Sequence, residues 1–96
     1  MPKGYWVAHV DIDDPAAYEA YRRANAAAFD KYGARFLIRG GSQQLLEGQA
    51  RARCVVVEFD SVEVARACYH SQEYQTAKAL RDPVSRADVT IVEGCP

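Results

Sequence analysis

The sequence predicts one α+β domain with the element order β-α-β-β-α-β. Three observations point there. Short strand-like runs lie near residues 4–12, 34–39, 53–59 and 88–93, the first with its side chains alternating between two faces and the third rich in β-branched valine. Helical periodicity fills the gap after the first run and the gap after the third. The chain is 96 residues long, which is room for a single domain.

Gly4 to Ile12 reads as the first strand, with Trp6, Ala8, Val10 and Ile12 on one face and Tyr5, Val7, His9 and Asp11 on the other. Asp14-Pro15 opens a helix. Proline pushes the residue before it out of helical geometry, which suits Asp14 as an N-cap, and Pro15 sits well in the first turn. The helix is expected to run to about Tyr32 and to stop at Gly33. Tyr18, Tyr21, Asn25, Ala28, Phe29 and Tyr32 share one stripe, and Glu19, Arg23, Asp30 and Lys31 lie opposite.

Ala34 to Arg39 is a second strand, with Phe36 and Ile38 on one face and Arg35, Leu37 and Arg39 on the other. Gly40-Gly41 breaks or bulges it, and Leu45-Leu46-Glu47-Gly48 reads as a short extension of the same hairpin arm. Arg53 to Phe59, with Val55-Val56-Val57 at its centre, is the most β-prone segment of the chain. Ser61 caps a helix carrying Val64, Ala65, Cys68 and Tyr69. Ser71 caps another, Gln72 to Arg81, which ends before Pro83. Asp88 to Glu93 closes the sheet. This is the split βαβ, ferredoxin-like arrangement, with its second helix broken near His70-Ser71.

Such a sheet carries helices on one face only. Trp6, Ala8, Val10, Phe36, Ile38, Val55, Val57 and Phe59 form the expected helix-side set. Tyr5, Val7, His9, Leu37, Arg39, Cys54, Val56 and Glu58 form the other, which is too apolar for a solvated face. Packing it against a second copy buries the apolar part and encloses the polar part, so a homodimer is expected.

Composition narrows the partners. Twelve Lys and Arg against thirteen Asp and Glu leave a net charge of −1, with no electrostatic motive for nucleic acid or an anionic membrane. An RNA-recognition role, open to the same fold, needs a Lys/Arg-Gly-aromatic pattern on the third strand, and Arg53-Cys54-Val55-Val56-Val57-Glu58-Phe59 lacks it. No apolar run approaches the roughly 20 residues of a membrane span, and no signal peptide is expected. Cys54, Cys68 and Cys95 are odd in number and widely spaced, which fits neither a disulfide framework nor a zinc site and suggests a reducing cytoplasm.

Lys3-Gly4-Tyr5-Trp6, Asp14-Pro15-x-x-Tyr18, Tyr32-Gly33-x-Arg35-Phe36-Leu37, Arg39-Gly40-Gly41, Leu46-Glu47-Gly48, Ser71-x-Glu73-Tyr74 and Val92-Glu93-Gly94 occur in an order and spacing that span nearly the whole chain. Together they resemble the domain-of-unknown-function 1330 family. Gln72 departs from the proline that many members carry there. The resemblance implies a dimeric α+β barrel, in which two ferredoxin-like subunits pair their sheets face to face. The wider superfamily includes cofactor-free oxygenases of aromatic polyketides, muconolactone isomerase-like enzymes and haem-degrading oxygenases. At the level of fold, that implies small, largely apolar substrates.

Two groups of residues are candidates for chemistry. His9, Arg39 and Glu58 come from three strands and share an expected face, where they supply either a base, an anion anchor and an orienting carboxylate, or an interface network in which Arg39 pairs with Glu58. Glu93 joins them if its register turns it inward. Asn25 sits amid an aromatic stripe, either as a polar group in a pocket with Trp6, Tyr18, Tyr21 and Phe29 or as a satisfied core amide. Tyr69 and Tyr74 flank the helix break and either line a pocket mouth or pack simply. Gly40-Gly41 lacks the spacing of a phosphate loop, and no metal or cofactor is expected. The functional expectation is a cofactor-free enzyme, acting by proton transfer or oxygenation on a small apolar molecule. The alternative is a ligand-binding or structural dimer without turnover.

Overall fold

The first strand forms the middle of the sheet. In a computed structural model describing residues 2–96, β1 (Gly4–Ile12) pairs antiparallel with both β3 (Arg53–Phe59) and β4 (Ser85–Glu93). β2 (Arg35–Arg39) adds to the free edge of β3, giving the antiparallel order β2-β3-β1-β4. The helices are α1 (Pro15–Ala24), α2 (Ala26–Tyr32), α3 (Val62–His70) and α4 (Gln72–Arg81), followed by a single 3-10 turn at Asp82–Val84. The order is the ferredoxin-like βαββαβ expected from sequence.

Local chemistry starts and stops these helices. Asp14 accepts from the Ala17 amide at 3.2 Å, Ser61 from the Val64 amide at 3.2 Å and Ser71 from the Tyr74 amide at 3.1 Å. Ser71 also donates to the Cys68 carbonyl at 2.7 Å, so one hydroxyl closes α3 and opens α4. Gly33, at φ 66°, takes the left-handed conformation that ends α2.

Four expectations about the elements need correction. The first helix is not continuous to Tyr32 but divides at Asn25, a residue type whose side chain favours helix boundaries over interiors. The division is mild, because Asn25 keeps α-region dihedrals and the main-chain bonds on either side persist. The final strand begins at Ser85 and not at Asp88, since β1 offers a partner along its full length, from Ile12 opposite Ser85 to Gly4 opposite Glu93. Residues 45–48 form no strand. They belong to a loop whose Leu45 and Leu46 are exposed and whose end is tethered by Arg51 to Asp11 at 2.9 Å and to Asp88 at 3.0 Å.

The fourth correction matters most. β2 carries a bulge between Phe36 and Ile38, so Phe36 pairs with Val57 but Ile38 pairs with Val56 and Arg39 with Val55. The extra residue, Leu37, shifts the alternation by one place. Ile38 moves to the helix-free face, where it is 45% exposed, and Arg39 moves to the helix side.

The core lies between sheet and helices, and Trp6 is its hub. Its ring meets those of Tyr74, Phe59 and Phe29 with centroids 4.8, 5.2 and 5.4 Å away. Its indole N–H donates to the Ala65 carbonyl at 2.9 Å, which ties β1 to α3. The opposite sheet face presents Val7, Ile38, Val56 and Val92 beside polar neighbours, with no helix over it among the described residues. Among the described residues, no helix is long and apolar enough to cross a membrane.

Candidate functional site

The core does not close completely. A cavity of about 50 Å³ remains between the helix-side face of the sheet and helices α1, α2 and α4. Its floor is Ala8, Val10, Val55, Val57 and Val89, and its walls are the rings of Trp6, Phe29 and Phe36. Strand alternation delivers the valines and Trp6. The aromatic stripe of the divided first helix delivers Tyr18, Tyr21, Asn25 and Phe29. At the polar end stand Arg22, Arg39, Arg53 and Arg81, and no Asp, Glu, His or Cys lines the space.

Of the residues expected to bind a ligand, Trp6, Tyr18, Asn25, Phe29 and Tyr74 line this cavity. Tyr69 does not. It lies one layer out, with its ring centroid 5.8 Å from Trp6 and 5.5 Å from Tyr74. Tyr21, expected in the same pocket as Asn25, lines it too, whereas Phe36, Arg53 and Arg81 join the lining without having been singled out as binding residues. Arg53 had a readable signal, because an arginine at the same register as Val55, Val57 and Phe59 faces the helices.

The trio His9, Arg39 and Glu58 is not brought together. The bulge puts Arg39 on the other side of the sheet from the remaining two. His9 is opposite Cys54, and Glu58 lies four residues further along β3, on the order of 13 Å away at about 3.3 Å per residue. The carboxylate of Glu58 is taken by Arg35 at 2.8 Å and by the Tyr5 hydroxyl at 2.9 Å, and not by Arg39. Those two hydrogen bonds hold its carboxyl below the usual glutamate range. Glu93 is exposed at the end of β4, opposite Gly4. Among the described residues, no three His, Cys, Asp or Glu side chains gather to hold a metal ion.

Within the cavity the polar groups form a donor-rich wall. The Tyr21 and Tyr74 hydroxyls share a hydrogen bond of 2.9 Å, and Arg81 Nε donates to the Tyr74 hydroxyl at 3.4 Å. Burial pushes all three lining tyrosines above the ordinary phenol value, so they stay protonated and offer O–H groups at neutral pH. Arg22 is paired with Glu19 at 2.8 Å, and Arg81 with Asp82 at 3.4 Å. Arg39 and Arg53 have no carboxylate partner among the described residues, and Arg53 Nε is buried without a hydrogen bond. A buried donor left unpaired costs on the order of 1–3 kcal/mol. With no base near neutrality and many donors, the wall can hold negative charge but cannot itself remove a proton.

The family model described as domain of unknown function (DUF1330) matches residues 3–95. The chain belongs to the DUF1330 family. A comparison with curated proteins finds no match. Among solved structures, the DUF1330 chain resembles a protein of unknown function from Rhodopseudomonas palustris, at 16% identity and a TM-score of 0.76, over 99% of this chain and 84% of that one. It also resembles a cofactor-independent oxygenase from Streptomyces nogalater, at 13% identity and a TM-score of 0.66, over 100% and 96%. A dimeric ferredoxin-like protein of unknown function from Thermobifida fusca matches at 16% identity and a TM-score of 0.58, over 96% and 91%. At these identities the likeness is one of fold: DUF1330 here is a ferredoxin-like α+β domain whose structural neighbours include dimers.

Proposed function

We propose that the protein is a homodimer in which each subunit holds a small, largely apolar molecule between its sheet and its helices. The observation that carries this reading is the cavity beside Trp6, apolar on its floor and studded with hydrogen-bond donors at one end. Ligand sites commonly combine an apolar lining with a few convergent polar groups. Roughly 10–15 Å³ of such space takes one water. About 50 Å³ therefore admits only a small apolar group, with the rest of the molecule toward the arginines. The dimer rests on the uncovered sheet face, where Val7, Ile38, Val56 and Val92 lack a partner, and on the dimeric state of the neighbours.

A second reading, turnover without a cofactor, draws on the likeness to the Streptomyces oxygenase. The chemistry of the wall limits what form it takes. Protonated tyrosines, Asn25 and arginines would stabilise an anion developing on the substrate, and the reactivity would have to be the substrate's own.

The binding reading is tested with Trp6, the chain's single tryptophan, which lines the cavity. Titration with small neutral molecules such as isobutanol, followed by tryptophan fluorescence and amide NMR, should shift signals of Trp6, Asn25 and Val57 together. Shifts scattered over the surface, or none at millimolar probe, would remove the pocket from the account.

A further inference from the structure

We propose that Arg39 and Arg53 form an anion clamp at the mouth of the cavity, and that the natural ligand is a small carboxylate whose short apolar tail enters beside Trp6. This rests on the binding reading above and adds the chemical class of the ligand.

The clamp is a product of the β2 bulge. With Leu37 accommodated as the extra residue, Arg39 comes into register with Val55 on the helix side. Arg53 is two residues from Val55 and points to the same side, so the two arginines are diagonal neighbours across β2 and β3, at roughly 7–8 Å. Each is seated. The Arg39 guanidinium carbon lies 4.0 Å above the centre of the Phe36 ring. Arg53 packs against Gly40, where a side chain would strike the guanidinium, and Gly40 itself has a φ of 74°.

Two cations held on one corner of a sheet repel each other, and no carboxylate in the cavity lining offsets them. Arg53 Nε is also buried with nothing to donate to. Arg22 and Arg81 line the same space but already hold Glu19 and Asp82. The unmet charge is therefore localised on Arg39 and Arg53. A carboxylate answers it well, since planar guanidinium groups bind carboxylates through paired, charge-assisted hydrogen bonds. The cavity behind them is apolar and small, which selects a short hydrocarbon tail.

The test compares isovalerate with its neutral twin isovaleramide, by NMR titration of the full chain at low salt. Isovalerate should bind at least tenfold more tightly, and Arg53→Met and Arg39→Met should each remove most of that preference by weakening isovalerate far more than isovaleramide. Inorganic phosphate, a charge without a tail, should compete only weakly. If both organic probes bind equally, the pocket reading stands and the clamp is wrong; if neither binds, both fall. The clamp is also overturned if phosphate binds as tightly as isovalerate, or if both variants keep the full preference. Conversion of either variant to a monomer in sedimentation would assign the arginines to the interface instead. Should Arg53→Met fail to fold, Arg39→Met, whose side chain is exposed, carries the same comparison.

Discussion

Tyr21 and Tyr74 show how a buried polar pair is held in an aromatic core. Their hydroxyls meet at 2.9 Å, 53 positions apart in sequence, and join α1 to α4 in the cavity wall. Tyr74→Phe leaves the Tyr21 hydroxyl without its partner, so a loss of about 1–2 kcal/mol is expected from urea unfolding. Tyr21→Phe should cost a similar amount. The double variant should lose clearly less than the sum, because the shared bond disappears only once and no tyrosine hydroxyl is stranded. Strictly additive losses would mean that the two hydroxyls do not support each other. At this scale, the sequence named Trp6, Tyr18, Asn25, Phe29, Tyr69 and Tyr74 as ligand-binding candidates, and all but Tyr69 line the cavity, because helix and strand periods put apolar surfaces face to face. It misassigned Arg39, whose side depends on one inserted residue and not on composition.

The loop that follows β2 is an element whose order comes from outside itself. It has no strand or helix of its own, and it returns to the sheet through Arg51 and Ala52. Asp11 accepts from the Ala52 amide at 3.0 Å and from Arg51 at 2.9 Å. Those hydrogen bonds, the Ala52 amide's first, hold the Asp11 carboxyl below its usual value of 3.8. The sign follows from linkage. A carboxyl with a lowered folded pKa stabilises the tether above its unfolded pKa, and that contribution fades as pH falls through the folded value. The Ala52 amide resonance should therefore titrate with a midpoint below 3.8 and should stop responding in Asp11→Asn. A midpoint at or above the usual value would show that the tether is not held in solution. Sequence reading supplied a short strand extension for this segment, because Leu45 and Leu46 look like strand residues when nothing shows that they lack a partner.

At the scale of the whole molecule, the helix-free sheet face is the feature still to be covered. Val56 is at its middle, opposite Val7 on one side and Ile38 on the other. Placing a charge there should oppose burial against a second copy. Val56→Lys and Ile38→Lys should each sediment at half the wild-type mass at micromolar concentration, with far-UV circular dichroism unchanged. Wild-type mass in both variants would rule out this face as the interface. The bulge helps this surface too: the shift that turns Arg39 inward is the one that turns Ile38 outward.

The amino-acid sequence alone determined the element order, the capping residues Asp14, Ser61 and Ser71, the stop at Gly33 and the side on which most strand residues lie. These depend on local propensity and on periods of two and 3.6 residues, which neighbours in sequence carry between them. The tertiary structure alone decided the bulge at Leu37, the early start of β4, and the placing of Arg39 on the same side of the sheet as Arg53. Each is set by pairing between distant strands, where a ladder lengthens or slips according to its partner, and no local window contains that partner.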